Sequence, residues 1–564
     1  MQKKGSGNNP NPLSGIGAAI PACLRARKPL MEEVMYQANL VIKNANILTM
    51  DKNNPSASAL AVFGDRIMGL GEDKDFESVT GPDTTVLDAR RHTVLPGFND
   101  AHIHPLISAS SLALVNMAGV TSLDEFFSRL RTAAGKTPPG QWLEGHGYDE
   151  GLFKEGREPV LEELDAVAPD HPLYVSRACL HVALVNSKAM AVLGITADTP
   201  DPQGGEIVKK NGRLTGRLCD AASAMVKNVI PALSPDQLAK KMGEQSRLFN
   251  SYGITSTTEM CMVGIEHDLP VWDEVLKNEL LTVRVAAYFQ EKMYAKLLEA
   301  RLPIPFGDDL FRIQGRKLIV DGGGGSGTAR MSEPNLHDGK YGIAYFTQEQ
   351  LDDMVWEAHS RGHQVAAHGI GDVAIRMILD AYKKAQERLP RPNARHRLEH
   401  CSFCFPPLIG RVINEKALPV MNPGFLYYFG ETHVRNYGEK RVSMEFPFRS
   451  LLDGGAIVAG GSDCPVTDMN PFPIIYSAVT RKTAKGMVCG EAERISAYEA
   501  VYSYTAAGAW LTFDEEKKGA LSPGKLADII VLDADITKMD KEPERILETK
   551  VERTFLGGKT VFER

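Results

Sequence analysis

The sequence predicts an α/β protein: a (β/α)8 TIM-like barrel with a large insertion after strand 1, plus a small β-sandwich built from the N- and C-terminal segments. Three observations lead there. Eight short apolar runs alternate with helical patterns through the middle of the chain, as parallel β/α units require. Hairpin-like runs stand at both ends, NLVIKNANILTM from Asn39 and ADIIVLDADI with VERTFLGGKTVF near the terminus, and neither end holds enough strands for a sheet of its own. A stretch from about residue 106 to 250 separates the first two barrel strands, far too long for a simple βα loop.

In chain order, residues 1–36 read as a flexible N-terminal arm, because GSGNNPNP has little capacity to pack. An export signal is the rival reading: Lys3 and Lys4 precede an apolar run ending near Cys23, but Gly and Pro break that run and basic residues follow it. Residues 37–92 and 513–564 make the composite β-sandwich, and residues 93–512 the barrel, with 106–250 as a substrate-covering insertion. Strand one is TVLPGFND, running on into AHIH. The others are GITSTTEM at Gly253, VRVAAYF at Val283, RKLIVDGG at Arg316, HQVAAHG at His363, HRLEHC at His396, LPVMNPG at Leu418 and IVAGGSDCP at Ile457. TQEQLDDMVWEAHSRG is one of the helices between them, and PDPQGGEI reads as a hairpin turn within the insertion.

Composition narrows the partners. With 43% apolar and 24% charged residues over 564 positions, the chain is of soluble globular type, and no apolar run approaches the roughly 18 residues of a membrane span. A net charge of −7 gives no field to attract nucleic acid, so a small-molecule substrate is expected. Eight scattered cysteines lack the spacing of a disulfide framework, which favours a reducing, cytoplasmic location. Cys401 and Cys404 form a lone C-x-x-C and read as buried thiols. A homodimer stays open.

The candidate chemistry sits at strand ends. His102 and His104 lie two apart at the end of strand one and project to the same side. Lys317 on strand four, His368 on strand five, His400 on strand six and Asp463 on strand eight fall where barrel enzymes place their sites. Singly, each has a structural alternative: a solvated lysine, two core histidines, an aspartate helix cap. Jointly those alternatives require several independent coincidences, so a metal site is the better reading. No G-x-S-x-G elbow supports a serine hydrolase. The run DGGGGSGTAR lacks a phosphate-loop lysine and reads as turn glycines shaping a wall, with Arg330 as a candidate anion contact.

PGFNDAHIH, Lys317 before Asp321, AAHGIGD, RLEHC and GGSDCPV, with the tail GALSPGKLADIIVLD, together resemble the amidohydrolase superfamily, in particular amidohydrolase family 3 and its N-substituted formamide deformylase-like branch. The resemblance covers most of residues 38–564. It implies that His102 and His104 bind the more buried metal, His368 and His400 the second, with Asp463 as ligand and general base and Lys317 as a carbamylated bridge. Two Zn2+ ions are then expected, or one metal if Lys317 is unmodified. The implied reaction is hydrolysis of a non-peptide C–N bond in an amide, formamide or cyclic amide by metal-activated water. A hydrolytic deaminase on the same barrel is the alternative, and a non-catalytic metal-binding regulatory protein a minor one. The branch also directs WLEGHGYDE and RACLHVALVNSKAM toward its substrate pocket. That makes Trp142, Tyr148 and Asp149 candidate substrate contacts and His181 a candidate catalytic donor to the substrate carbonyl.

Overall fold

Parallel strands closed into a barrel are covered on both faces, so they lose the alternating polarity of a half-exposed sheet. FNDAHI and ITSTTE carry polar residues, yet every position in both is buried. A computed structural model describes residues 37–117, 119–177, 182–203, 205–261, 268–336 and 338–564. The predicted arm, 1–36, lies outside the described residues.

The barrel strands are β1 (Phe98–Ile103), β2 (Ile254–Glu259), β3 (Arg284–Phe289), β4 (Phe311–Ile319), β5 (Gln364–Gly369), β6 (Arg397–His400), β7 (Leu418–Met421) and β8 (Ala459–Gly460). Each pairs in parallel with the next in chain order, and a short antiparallel strand, Phe306–Gly307, flanks β4. The stretch after β8 returns to β1, where the Asp463 N–H donates to the His102 carbonyl at 2.7 Å. Gly461 permits that approach, because a Cβ there would lie 2.7 Å from the His102 nitrogen.

The helices follow their sequence signals. Helix α1 (Gln348–Ser360) begins in a capping box, in which the Gln350 N–H donates to Thr347 Oγ1 and the Thr347 N–H to Gln350 Oε1. It buries Leu351, Val355 and Ala358 on one face. Helix α2 (Asp372–Arg388) follows β5, and α3 (Gly424–Tyr437) follows β7.

The first strand corrects the sequence reading. Thr93–Pro96 belongs to the sheet built from both chain ends, where it pairs antiparallel with Ile529–Leu532, and the barrel strand starts only at Phe98. Gly97 is the corner between them: a Cβ would lie 2.1 Å from Thr255 Oγ1, so only glycine fits. That six-stranded sheet runs in the order Lys559–Glu563, Val551–Leu556, Ile529–Leu532, Thr93–Pro96, Asn46–Leu48, Ser56–Ala57. It shares a core containing Ile42, Ile47, Val62, Ile529 and Phe555 with a four-stranded sheet from residues 40–88. The C-terminal hairpin turns at Gly557 and Gly558, whose φ values of 54° and 74° fit the primed two-residue turn.

The insertion folds on a mixed six-stranded sheet, in the order Gly205–Lys210, Arg213–Asp220, Val182–Val185, Leu173–Arg177, Leu143–Tyr148, Val115–Asn116. The hairpin of Gly205–Lys210 and Arg213–Asp220 turns at Asn211 and Gly212 (φ 53° and 74°), later than the predicted PDPQGGEI turn; Gly204 lies outside the described residues.

One buried ion pair ties the sandwich to the barrel. Arg284 on β3 donates through Nε and Nη2 to the two oxygens of Asp528 at 2.6 and 2.9 Å, and the Gly557 N–H donates to the same carboxylate. Asp528→Ala would leave the guanidinium buried without its partner, so it is expected to cost about 3–5 kcal/mol in urea-unfolding measurements.

Candidate active site and metal centre

Residues His102, His104, Lys317, His368, His400 and Asp463, which sequence spacing singled out, line one cavity of 570 Å³ at the C-terminal mouth of the barrel. All but His368 are buried. His102 Nε2 and His104 Nε2 converge on Asp463 Oδ1 at 3.3 and 2.9 Å. The imidazoles of His102 and His400 lie 4.5 Å apart between centroids, those of His400 and His368 4.4 Å.

Neighbouring groups fix which nitrogen each ring presents. His102 Nδ1 meets Glu399 Oε2 at 2.6 Å, and His400 Nδ1 meets Asn422 Oδ1 at 2.9 Å, so each turns Nε2 toward the cavity. His368 places Nε2 3.3 Å from the Gly322 carbonyl, leaving Nδ1 as its free nitrogen. His104 Nδ1 is buried without a hydrogen-bond partner. The residues fit a metal: ligand atoms of His102, His400 and Asp463 lie within 4.8 Å of one another, and His102 and His400 carry the outer partners that metal-bound imidazoles need.

Two ligand candidates owe their direction to backbone in the left-handed region. In a regular strand Glu399 and His400 would point to opposite faces, but φ is 68° at His400, and Glu399 reaches His102 while His400 lines the same cavity. Asp463 has φ 61°.

Charge follows burial and pairing. Burial pushes the Asp463 carboxyl upward, but the charge of His102 and the hydrogen bonds from His102 and His104 outweigh it and hold the group well below its usual range. Glu399 is likewise held low, with burial overcome by Arg397, whose Nε lies 2.7 Å from Glu399 Oε1. Burial pulls the Lys317 amine down to about 8 against the attraction of Glu399 and Asp463. Among the described residues Lys317 has no hydrogen bond or ion pair. Burial also keeps His400 neutral, lowered further by His368 and His102.

The four candidate substrate contacts do not join this cavity. Tyr148 is fully buried in the insertion core and donates to Glu158 at 3.0 Å; its aromatic bulk serves packing. Asp149 caps a short 3-10 turn through the Gly151 N–H and pairs with Arg177 at 3.3 Å. Trp142 packs on the other core of the insertion and lines a separate cleft of 1010 Å³, which is larger but lined by no histidine, cysteine or aspartate. Arg330 donates to the Tyr341 carbonyl at 3.2 Å, with its guanidinium over the Tyr341 ring. His181 lies outside the described residues. Glu399 and Asn422 were not singled out by sequence, and Asp321 only as the motif position after Lys317; Glu399 stands in RLEHC beside a predicted ligand, and only the geometry gives it a task.

A sequence model of one family, the Amidohydrolase family, matches residues 85–562. The chain belongs to that family. As an amidohydrolase it is a metal-dependent hydrolase acting on C–N bonds. It is 30% identical to N-substituted formamide deformylase of Arthrobacter pascens, over 93% of this chain and 98% of that one. It is 29% identical to protein LONG AFTER FAR-RED 3 of Arabidopsis thaliana, over 93% and 92% of the two chains. Among solved structures, an uncharacterized metal-dependent hydrolase from Pyrococcus furiosus superposes with a TM-score of 0.73 at 26% identity, over 88% of this chain and all of that one. No helix among the described residues is long and apolar enough to cross a membrane.

The amidohydrolase site makes Glu399 the group that orients His102. Glu399→Gln is expected to weaken metal retention about 10- to 100-fold, measured as metal content against a graded chelator, with the far-ultraviolet circular dichroism of the folded barrel preserved.

Proposed function

We propose that this amidohydrolase cleaves the C–N bond of an N-substituted formamide or a related small amide. The observation that carries the reading is the convergence of two imidazoles on one Asp463 oxygen at 3.3 and 2.9 Å in the cavity. The full-length likeness to N-substituted formamide deformylase supports the substrate class.

In this reading His102, His104 and Asp463 hold the more buried metal and His368 with His400 a second, both Zn2+. Lys317 would help to hold them as a carbamate: its neutral amine adds to CO2, an N–C bond forms as one C–O π bond opens, one amine proton leaves, and the side chain gains an anionic oxygen donor. The burial of Lys317 and its want of a protein partner support that modification. When bound, the metals supply Lewis acidity that makes water a nucleophile near neutral pH and polarises the carbonyl.

The chain's own groups do the rest. Asp463 has an ionised carboxylate at the reaction site and serves as general base: it takes the proton of the attacking water and returns it to the leaving nitrogen. Neutral His400 presents its Nε2 without a competing proton, and His368, with Nε2 at the Gly322 carbonyl, offers Nδ1. Phe425 stacks on His400 with centroids 5.8 Å apart and keeps bulk water from that side of the centre. The products are formate and an amine, and the small cavity suits a small-molecule substrate in a cytoplasmic enzyme.

Asp463→Asn is expected to lower turnover of a formamide panel by about 100- to 10,000-fold while at least the more buried metal stays bound. Formate release and metal content, measured on the same preparation, check both halves. Near-normal turnover would remove Asp463 from the role of base. A chelator is expected to abolish activity, and two zinc equivalents to restore it.

A further inference from the structure

The candidate metal ligands form part of the cavity wall, and the same wall holds another histidine that the proposed reaction does not use. Phe425, Phe429 and His433 stand four residues apart on α3 and all line the cavity, so they form one stripe along the helix. Phe425 packs on the candidate ligand His400. At roughly 1.5 Å per residue, His433 lies about 12 Å further along the axis.

His433 is built as a directed polar group. It is 1% exposed, and its Nδ1 lies 3.0 Å from both oxygens of Glu445, which is itself fully buried. Ser402 Oγ donates to Glu445 Oε1 at 2.6 Å, and buried Arg481 donates to the Glu445 main-chain oxygen at 2.6 Å, which sets a positive charge beside that carboxylate. A carboxylate acceptor requires Nδ1 to carry the hydrogen, and in that imidazole tautomer Nε2 is the lone-pair acceptor. Nε2 is buried and has no partner. It faces the glycine-rich wall of the cavity: a Cβ at Gly324 would lie 3.0 Å from it. A buried acceptor left unpaired is destabilising, so a ligand donor placed there is favoured.

We propose that His433 is a substrate-recognition residue whose Nε2 accepts a hydrogen bond from an O–H or N–H at the far end of the substrate's nitrogen-linked arm. This rests on the amide-hydrolase reading of the metal end: a formamide has only hydrogen on its acyl carbon, so the substituent on nitrogen is what extends along Phe425 and Phe429. The class selected is an amide whose arm is apolar in its middle and carries a hydrogen-bond donor at its tip.

The test uses the zinc-loaded full chain and two matched probe series, linear N-alkylformamides of increasing length and the same compounds with a terminal hydroxyl. Binding is read from histidine side-chain nitrogen resonances in isotope-labelled protein, and turnover from formate release. At one chain length the hydroxyl compound is expected to bind about tenfold tighter than its alkyl match and to move the His433 Nε2 resonance. His433→Leu is expected to equalise the two series with metal content unchanged, and Gly324→Ala, which sets a methyl group against Nε2, to reduce the preference with the Glu445 contact intact. Equal binding of the two series at every length, no binding of either, an unmoved Nε2 resonance in the wild type, or a preference that survives in His433→Leu overturns the proposal. Binding with the hydroxyl preference but without formate release would overturn the formamide reaction and leave the recognition role standing; release from both series at equal efficiency and equal affinity would do the reverse.

Discussion

The site depends on a barrel closure in which one hydrogen bond matters most. The Asp463 N–H reaches the His102 carbonyl at 2.7 Å, joining the end of the last strand to the end of the first. The two paired side chains on these strand ends, His104 and Asp463, are 359 positions apart in sequence. Closure therefore performs an assembly that no local structure could. The Asp100 carboxylate reinforces it by accepting from the Ser462 and His102 N–H groups at 3.0 and 3.2 Å. Glycine at 461 is the steric condition for this contact, since any side chain would collide with the His102 backbone.

Closure fixes where the backbones lie, and local strain then aims the side chains. A left-handed residue other than glycine costs about 1–2 kcal/mol, and His400 and Asp463 both adopt that region. At His400 the effect is visible, because adjacent residues Glu399 and His400 both serve one cavity. Strain at two candidate ligands implies that surrounding contacts hold them firmly, and the Asn422 partner of His400 and the histidine partners of Asp463 are such contacts.

Much of this was legible in the sequence because ligand-type residues recur at the ends of regularly spaced strands. His102, His104, Lys317, His368, His400 and Asp463 needed only strand order to be brought together. Glu399 and Arg397 were not legible: they pair two residues apart on β6, but the reach of Glu399 to His102 on the first strand depends on barrel closure, and a charged pair inside a strand gives no signal of that further partner. The Thr93–Pro96 run was assigned to the barrel since β-branched residues suit either sheet, and the corner at Gly97 is set by its collision with Thr255. Tyr148 and Asp149 illustrate a different limit. A polar-aromatic segment in an insertion reads as a pocket wall, while the structure buries the ring against Phe126 and Phe153 and uses the carboxylate as a cap.

Those two misreadings move the question of specificity from the insertion to the barrel. Among the described residues, the cavity wall beyond the ligands comes from α3 and the glycine-rich segment after β4, together with Ile319, Tyr345, Ile370 and Val466. That segment is anchored by one carboxylate: Asp321 accepts from the Arg330, Ile370 and Gly371 N–H groups at 2.9, 3.0 and 2.8 Å. Both ends of the loop are thus tied to the end of β5, close to His368. In its middle the Gly324 and Gly325 carbonyls accept from Asn436 Nδ2 at 3.2 and 3.1 Å, while a Cβ at Gly325 would touch nothing within 4 Å, so side-chain space stays open there. A loop rigid at its base and open at its tip can hold ligand geometry constant while its outer glycines accommodate substrates of different bulk. The directed polar group for choosing among them is then supplied by the facing helix, where Glu445 holds His433.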